Sequence, residues 1–314
     1  MCDEYKKIYN KLIVDQSKGI IIDYKPQNKT YKYYPFSHQA SSSSLDDLYN
    51  LITDNIIFYA FDQNEIIKLN ENIAVLEDLR AAAKYAFANR LPKRTDPNSD
   101  GTVGEVLLDL LIQTFEPHSQ KLIARAKYTE VGKRKNEITG YDALYFTLDG
   151  GQLTLWLGQA KAGAEDYCKS DIKKDLNTKF GSEYFADTAY YIADKVDSDK
   201  SLINILNEIN KICFKAQKDE WTKDQKIDML YKLLKDNNVA IKIPCLLAFT
   251  NDIYSSGDLE NNVSTVVKKV MHYYERLNYS IDLKLPYEIR FYVFPIKDVS
   301  YIRKKIVEFK KGVT

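Results

Sequence analysis

The chain reads as an α/β protein: a mixed sheet flanked by helices, with a small α+β module at the N-terminus. Two patterns predict this. Between Gly104 and Lys161 the order is helix, strand, strand, strand, in the runs GEVLLDLLIQTF, KLIARAKY, GYDALYFTL and QLTLWLGQAKAG. From Ala240 onward it is strand, helix, strand, helix. The strands there, AIKIPCLLAFT and EIRFYVF, are nearly continuous apolar runs. Such runs suit strands covered on both faces.

Residues 1–65 form the expected N-terminal module, and residues 66–314 the main domain. Gly19–Tyr24 and Thr30–Tyr34 are short strands split by a turn at Lys25-Pro26-Gln27-Asn28. The serines Ser41–Ser44 offer an N-cap to a helix at Leu45–Ile52. Asn55–Phe61 is an apolar run that fits a strand or a buried helix equally. Ile66, Ile67, Ile73, Leu76, Leu79 and Ala83 keep near-helical spacing and predict one long helix over 64–90. LPKRTDPNSDGT is a loop by composition. Thr102 and Glu105 then match a capping box for a helix over 103–115.

Beyond the strands, an amphipathic helix is expected at about 165–180, carrying Lys169, Lys173 and Lys174. Residues 183–238 read as helical, interrupted near 195–200. Leu202, Ile205, Leu206, Ile209 and Ile212 keep helix period, as do Ile227, Leu230, Leu233 and Leu234. This stretch is a helical insertion. A strand at Ala240–Thr250, a helix at Leu259–Leu277, a strand at Glu288–Phe294 and a helix at Val299–Lys310 finish the chain.

Composition narrows the function. The 45 basic and 44 acidic residues give a net charge of +1, so no global field draws the chain to nucleic acid. Any DNA contact needs a local patch or a partner. The four cysteines show no CxxC spacing and there are three histidines, which argues against structural zinc, a disulfide framework or a histidine-based metal centre. No apolar run reaches membrane-spanning length, and the cytoplasm is the expected location.

The chemistry concentrates in one hairpin. Side chains alternate faces along a strand, so Leu153, Leu155, Leu157, Gln159 and Lys161 share one face. Thr154, Trp156, Gly158 and Ala160 share the other. Asp149-Gly150-Gly151 is a hairpin turn, and an antiparallel return brings Asp142 close to Gln159 and Lys161. A carboxylate, an amide oxygen and an ammonium meeting at a strand end suit metal-assisted phosphodiester hydrolysis. Mg²⁺ (or Mn²⁺) takes carboxylate, carbonyl, water and phosphate oxygens and activates water. A lysine beside it orients that water or stabilises charge on phosphorus. Glu105 is the natural second carboxylate, and Asp109, one helical turn on, is the reserve.

A helix Glu, then Asp, then Gln-x-Lys on a hairpin resembles the PD-(D/E)xK nuclease superfamily, in the variant with Gln in the last motif. More narrowly, GEVLLDLLIQTF…TGYDALYF…LWLGQAKAG resembles the HamA family, the nuclease subunits of the Hachiman anti-phage defence system. The local match covers roughly residues 100–180. The resemblance implies a restriction-endonuclease-like fold. It implies an active site of Glu105, Asp142, Gln159 and Lys161, with the first three on the metal, and a DNA helicase partner, HamB, in a heterodimer.

Each residue has a plainer reading. Glu105 closes a capping box, Asp142 caps a turn after Gly140, and Lys161 is an exposed strand-end lysine. Lys133, Arg134 and Lys135 are a phosphate-contacting loop or a solvated hairpin tip. Lys169 and Lys173 contact DNA backbone or belong to a solvated face offset by Asp166, Asp171 and Asp175. The functional expectation is a metal-dependent DNase acting in a defence complex. The alternatives are a catalytically silent nuclease-fold scaffold or sensor, for which Gln159 in place of the commoner Glu is the ground, and a stand-alone restriction-type endonuclease.

Overall fold

The computed structural model describes residues 2–92, 96, 101–116, 120–121, 128–131, 134–137, 140–149, 152–193, 200–218, 220–255 and 257–312. Helix α1 (Cys2–Tyr9) passes through a π-helical segment, Asn10–Val14, into α2 (Asp15–Ile20). Three short strands follow: β1 (Ile21–Asp23), β2 (Gln27–Asn28) and β3 (Lys32–His38). Then come α3 (Ser44–Asp54), α4 (Ile56–Ala60), α5 (Gln63–Ile73), α6 (Leu79–Asn89) and α7 (Thr102–Phe115). The middle of the chain holds β4 (Gln120–Lys121), β5 (Tyr128–Val131), β6 (Arg134–Glu137), β7 (Ala143–Asp149) and β8 (Gln152–Gly163). Four helices succeed them: α8 (Glu165–Thr178), α9 (Ser182–Ala193), α10 (Lys200–Gln217) and α11 (Lys223–Asp236). The chain closes with β9 (Ala240–Thr250), α12 (Leu259–Tyr274), β10 (Tyr287–Ile296) and α13 (Val299–Lys311).

This is the expected α/β class. One mixed sheet runs in the order β1-β3-β10-β9-β8-β7-β4, with β2 beside β3 and β5-β6 a separate pair. β8, β9, β10 and β3 are mutually parallel; β7 on one side and β1 on the other run against them, and β4 pairs antiparallel with β7. Alternation along the strands feeds two cores. Trp156, Ala160, Leu246, Ala248, Tyr292 and Phe294 point to the layer formed by the helices before β4 together with α13. Leu155, Leu157, Cys245, Leu247, Phe291 and Val293 point to the layer from α8 to α12. Among the described residues no helix is long and apolar enough to cross a membrane.

Two local expectations are corrected, the single helix over 64–90 and the serine cap, and one open alternative is decided. β3 pairs in parallel with β10, and residues from Tyr5 to Ile67 contribute to the first core with α7 and β8, while Tyr33 joins the second. The helix expected over 64–90 is two helices, because Ala74 adopts a left-handed conformation (φ 48°) that ends α5. Asp78 then accepts from the Ala81 N–H and starts α6. The 55–61 run is the fully buried helix α4. Ser43 does stand at the N-cap of α3, yet its hydroxyl donates to Asp47 Oδ2 at 2.8 Å and caps no backbone N–H. Of the strand expected at KLIARAKY, residues 122–127 lie outside the described residues.

Candidate active site

The hairpin β7–β8 sets the site. Its register pairs Ala143 with Gly158 and Leu144 with Leu157. One step further, the Asp142 N–H donates to the Gly158 carbonyl at 2.8 Å. The Ala160 N–H donates to Asp142 Oδ2 at 2.8 Å. The carboxylate is therefore fixed by backbone, level with Gln159.

Gly158 makes this close approach possible. A Cβ there would lie 2.6 Å from Ala143 Cβ, 3.0 Å from Leu108 Cδ2 and 3.1 Å from Pro244 Cγ. On the other side the β8–β9 register runs from Trp156↔Lys242 to Gln159↔Cys245, skipping the two steps at Ile243 and Pro244. Proline has no N–H to give the ladder. The missing side chain of Gly158 leaves room for its ring.

Gln159 is fully buried. Its Nε2 donates to the Gly140 carbonyl at 3.2 Å, which turns Oε1 towards α8. There Lys179 Nζ donates to Oε1 at 2.8 Å. Two residues on, Lys161 Nζ lies 2.8 Å from Asp175 Oδ2 and 3.9 Å from Asp171 Oδ2. Lys179 Nζ is also 3.3 Å from Asp175 Oδ1. Burial pulls the Lys161 pKa down, but the bond and charge of Asp175 and the charge of Asp142 outweigh it, so the net shift is upward. Lys161 is an ammonium at neutral pH. Burial first, then the charges of Asp175 and Asp142, raises the Tyr184 hydroxyl at the same site.

The structure thus brings Asp142, Gln159 and Lys161 together on one face of the sheet. It does not bring Glu105 to them. α7 packs on the opposite face: a Cβ on Gly104 would touch Ala160 and Ala162 Cβ at 3.5 Å. Glu105 Oε2 accepts from the Tyr59 hydroxyl of α4. Nor does Glu105 close a capping box with Thr102. Gly101 is the N-cap, and the Thr102 hydroxyl accepts from the buried Lys310 at 2.9 Å. Asp109 is fully buried and accepts from Gln113 Nε2 at 2.7 Å and Asn55 Nδ2 at 3.3 Å, a core role.

Of the basic residues, Lys133 lies outside the described residues. Arg134 and Lys135 belong to β6, paired with β5. Lys169 is tied within its own helix, to Glu165 at 2.9 Å and Asp166 at 3.0 Å. Lys173 is half-buried on α8. Asp175 and Lys179 were not legible as site residues, though a signal existed. Cys168, Ile172, Asp175, Leu176 and Lys179 share one helical stripe, and an acid on an apolar stripe needs a buried partner.

Among the described residues no three His, Cys, Asp or Glu side chains form a ready metal cage. The donors on this face are hard oxygens of carboxylate and amide. That set suits a cation bound through one or two carboxylates while keeping its own water, as Mg²⁺ is. A family model described as HamA matches residues 7–309 of the chain. A comparison with curated proteins finds no match.

Proposed function

The chain belongs to the HamA family of Hachiman-associated defence proteins, and from that premise we propose that it is a metal-dependent DNA nuclease. It would serve as the effector of an anti-phage complex. The observation that carries this reading is the convergence of Asp142, Gln159 and Lys161 at the end of one antiparallel hairpin. Asp142 and Gln159 would hold Mg²⁺ or Mn²⁺. When bound, that cation supplies Lewis-acid polarisation of a phosphoryl oxygen and a more acidic water.

The protein's own contribution is orientation and charge. Backbone N–H groups are short of freedom in a sheet, so the Ala160 N–H holds Asp142 in one pose at little further entropic cost. The Gly140 carbonyl fixes which end of the Gln159 amide faces inward. Lys161 is charged and cannot serve as a base. Its part is to stabilise negative charge growing on the phosphorus oxygens. With a net charge of +1 the chain has little long-range pull on DNA. Delivery by a helicase subunit, the HamB-like partner, fits that balance better than solitary action as a restriction-type enzyme.

A second reading has one observation in its favour. Gln159 Oε1 and the Lys161 ammonium are both engaged by groups of α8, as they would be in a silent scaffold or sensor. The test is plasmid cleavage in Mg²⁺ or Mn²⁺ by the purified chain, alone and with the neighbouring helicase and ATP, beside Lys161→Ala and Gln159→Glu. Cleavage lost in Lys161→Ala, with a changed metal requirement in Gln159→Glu, supports the nuclease. Absence of cleavage in every arm supports the scaffold.

A further inference from the structure

Lys179 caps the C-terminal end of α8, where a lysine ordinarily reaches the free carbonyls or solvent. Here it turns inward. Its ammonium sits between the amide oxygen of Gln159, at 2.8 Å, and Oδ1 of Asp175, at 3.3 Å. The two oxygens come from different elements, strand and helix. Gln159 is fully buried, and the Asp175 side chain is 10% exposed.

The charges around it do not balance. Asp175 carries one negative charge and shares it between two ammonium groups, Lys161 on Oδ2 and Lys179 on Oδ1. Gln159 offers Lys179 a dipole only. Lys161 has Asp171 and the field of Asp142 in addition. Lys179 is therefore the less compensated of the two, and two hard oxygens hold a monovalent charge between them. A divalent cation would bring twice the charge to the same oxygens.

Resting on the metal-nuclease reading above, we propose that Lys179 is an internal cation holding the gap between Gln159 and Asp175. Asp175 is the acid that stands in for the missing carboxylate at position 159. Metal entry requires the Lys179 ammonium to swing out, so the lysine sets the metal concentration at which the site fills. Asp175 then contacts the metal, and Lys179 acts as a competitor for its place.

The test is Mn²⁺ titration of the full chain without DNA, followed by the electron paramagnetic resonance signal of free Mn²⁺. Each variant is first checked by thermal melting. Lys179→Met should bind Mn²⁺ about tenfold tighter or more, since a like charge is removed from the binding position. Lys179→Arg should stay near wild type. Asp175→Asn should bind more weakly, again by about tenfold. If Lys179→Met does not fold, Lys179→Gln takes its place. Unchanged or weaker binding in the neutral variant overturns the inference, as does full affinity in Asp175→Asn. Binding that depends on Asp142 but ignores Lys179 overturns this inference and leaves the nuclease reading standing. No Mn²⁺ binding by any chain overturns both.

Discussion

Gly158→Ala should be among the most damaging single-methyl additions in the hairpin. The new Cβ would lie 2.6 Å from Ala143 Cβ, 3.0 Å from Leu108 Cδ2 and 3.1 Å from Pro244 Cγ. Ordinary carbon contacts are about 3.5–4.0 Å. Leu108 can rotate away. Ala143 Cβ is rigidly fixed to β7, and the Pro244 ring is locked to β9, so β8 is trapped between them. Relief requires β7 to move by roughly 1 Å, at the step where Asp142 is held. Overpacking of this kind costs about 3 kcal/mol, the top of its usual range. The control is Gly104→Ala, whose Cβ would meet its nearest neighbours at 3.5 Å. In a helix that substitution should gain about 0.4–1 kcal/mol. Adding Ala143→Gly to Gly158→Ala removes the 2.6 Å clash and should recover about 1 kcal/mol after the cost of a strand glycine. Urea unfolding with an unchanged m-value measures all three. A Gly158→Ala midpoint equal to wild type, or to Gly104→Ala, would refute the reasoning.

Three further outcomes follow from particular contacts. His38 is fully buried, with Nδ1 at 2.8 Å from the Gln39 carbonyl and Nε2 accepting from the Lys297 N–H. Burial pushes its pKa down to about 4 from 6.5. The unfolded chain thus binds the proton first, so stability present above pH 6.5 is lost as pH falls towards 4. The loss is about 3 kcal/mol, and a His38→Gln variant should show a shallower acid limb in urea midpoints. Asp109→Ala removes the acceptor of Gln113 Nε2 and one of the two acceptors of the buried Asn55 Nδ2, which keeps the Val106 carbonyl at 3.4 Å, and should cost about 1–3 kcal/mol in the same assay. Lys161 is raised by Asp175 and Asp142 despite its burial, so it stays charged through the neutral and mildly alkaline range. A pH–rate profile of cleavage should show no basic limb below the ordinary lysine range. A limb near pH 8 that disappears in Lys161→Arg would contradict that.

The hairpin was legible because both its signals are local: a period-two alternation and an Asp-Gly-Gly turn. Those two facts place Asp142, Gln159 and Lys161 on one face. β9, β10, α12 and α13 were legible from local signals too, the two strands as nearly continuous apolar runs. Glu105 was not, because its destination depends on which face of the sheet α7 covers, and Gly104 against Ala160 and Ala162 decides that. Its partner Tyr59 lies on a helix whose sequence is apolar throughout. The break at Ala74 left no glycine to mark it. Asp175 reads along the chain as one more acid offsetting the lysines of α8. Only the packing of α8 on β8 shows it facing Lys161. The membership of β3 in the main sheet has no local trace at all, since a parallel partner can lie anywhere in the chain.

That last pairing has a consequence for how the molecule is made. β3 leaves the ribosome well before its neighbour β10, with β4 to β9 lying between them in the sequence. Until β10 arrives, β3 has β1 and β2 beside it, while Tyr33, buried in the finished protein, lacks the Phe291 ring it stacks on and Phe36 lacks its edge-to-face partner Tyr292. Loop closure over so long a separation makes this pairing a slow step. The nascent polypeptide carries the Asp142 hairpin long before its sheet can close. Closure of the sheet therefore waits for β10, and a chain truncated before Ile296 should be a substrate for chaperones and proteases.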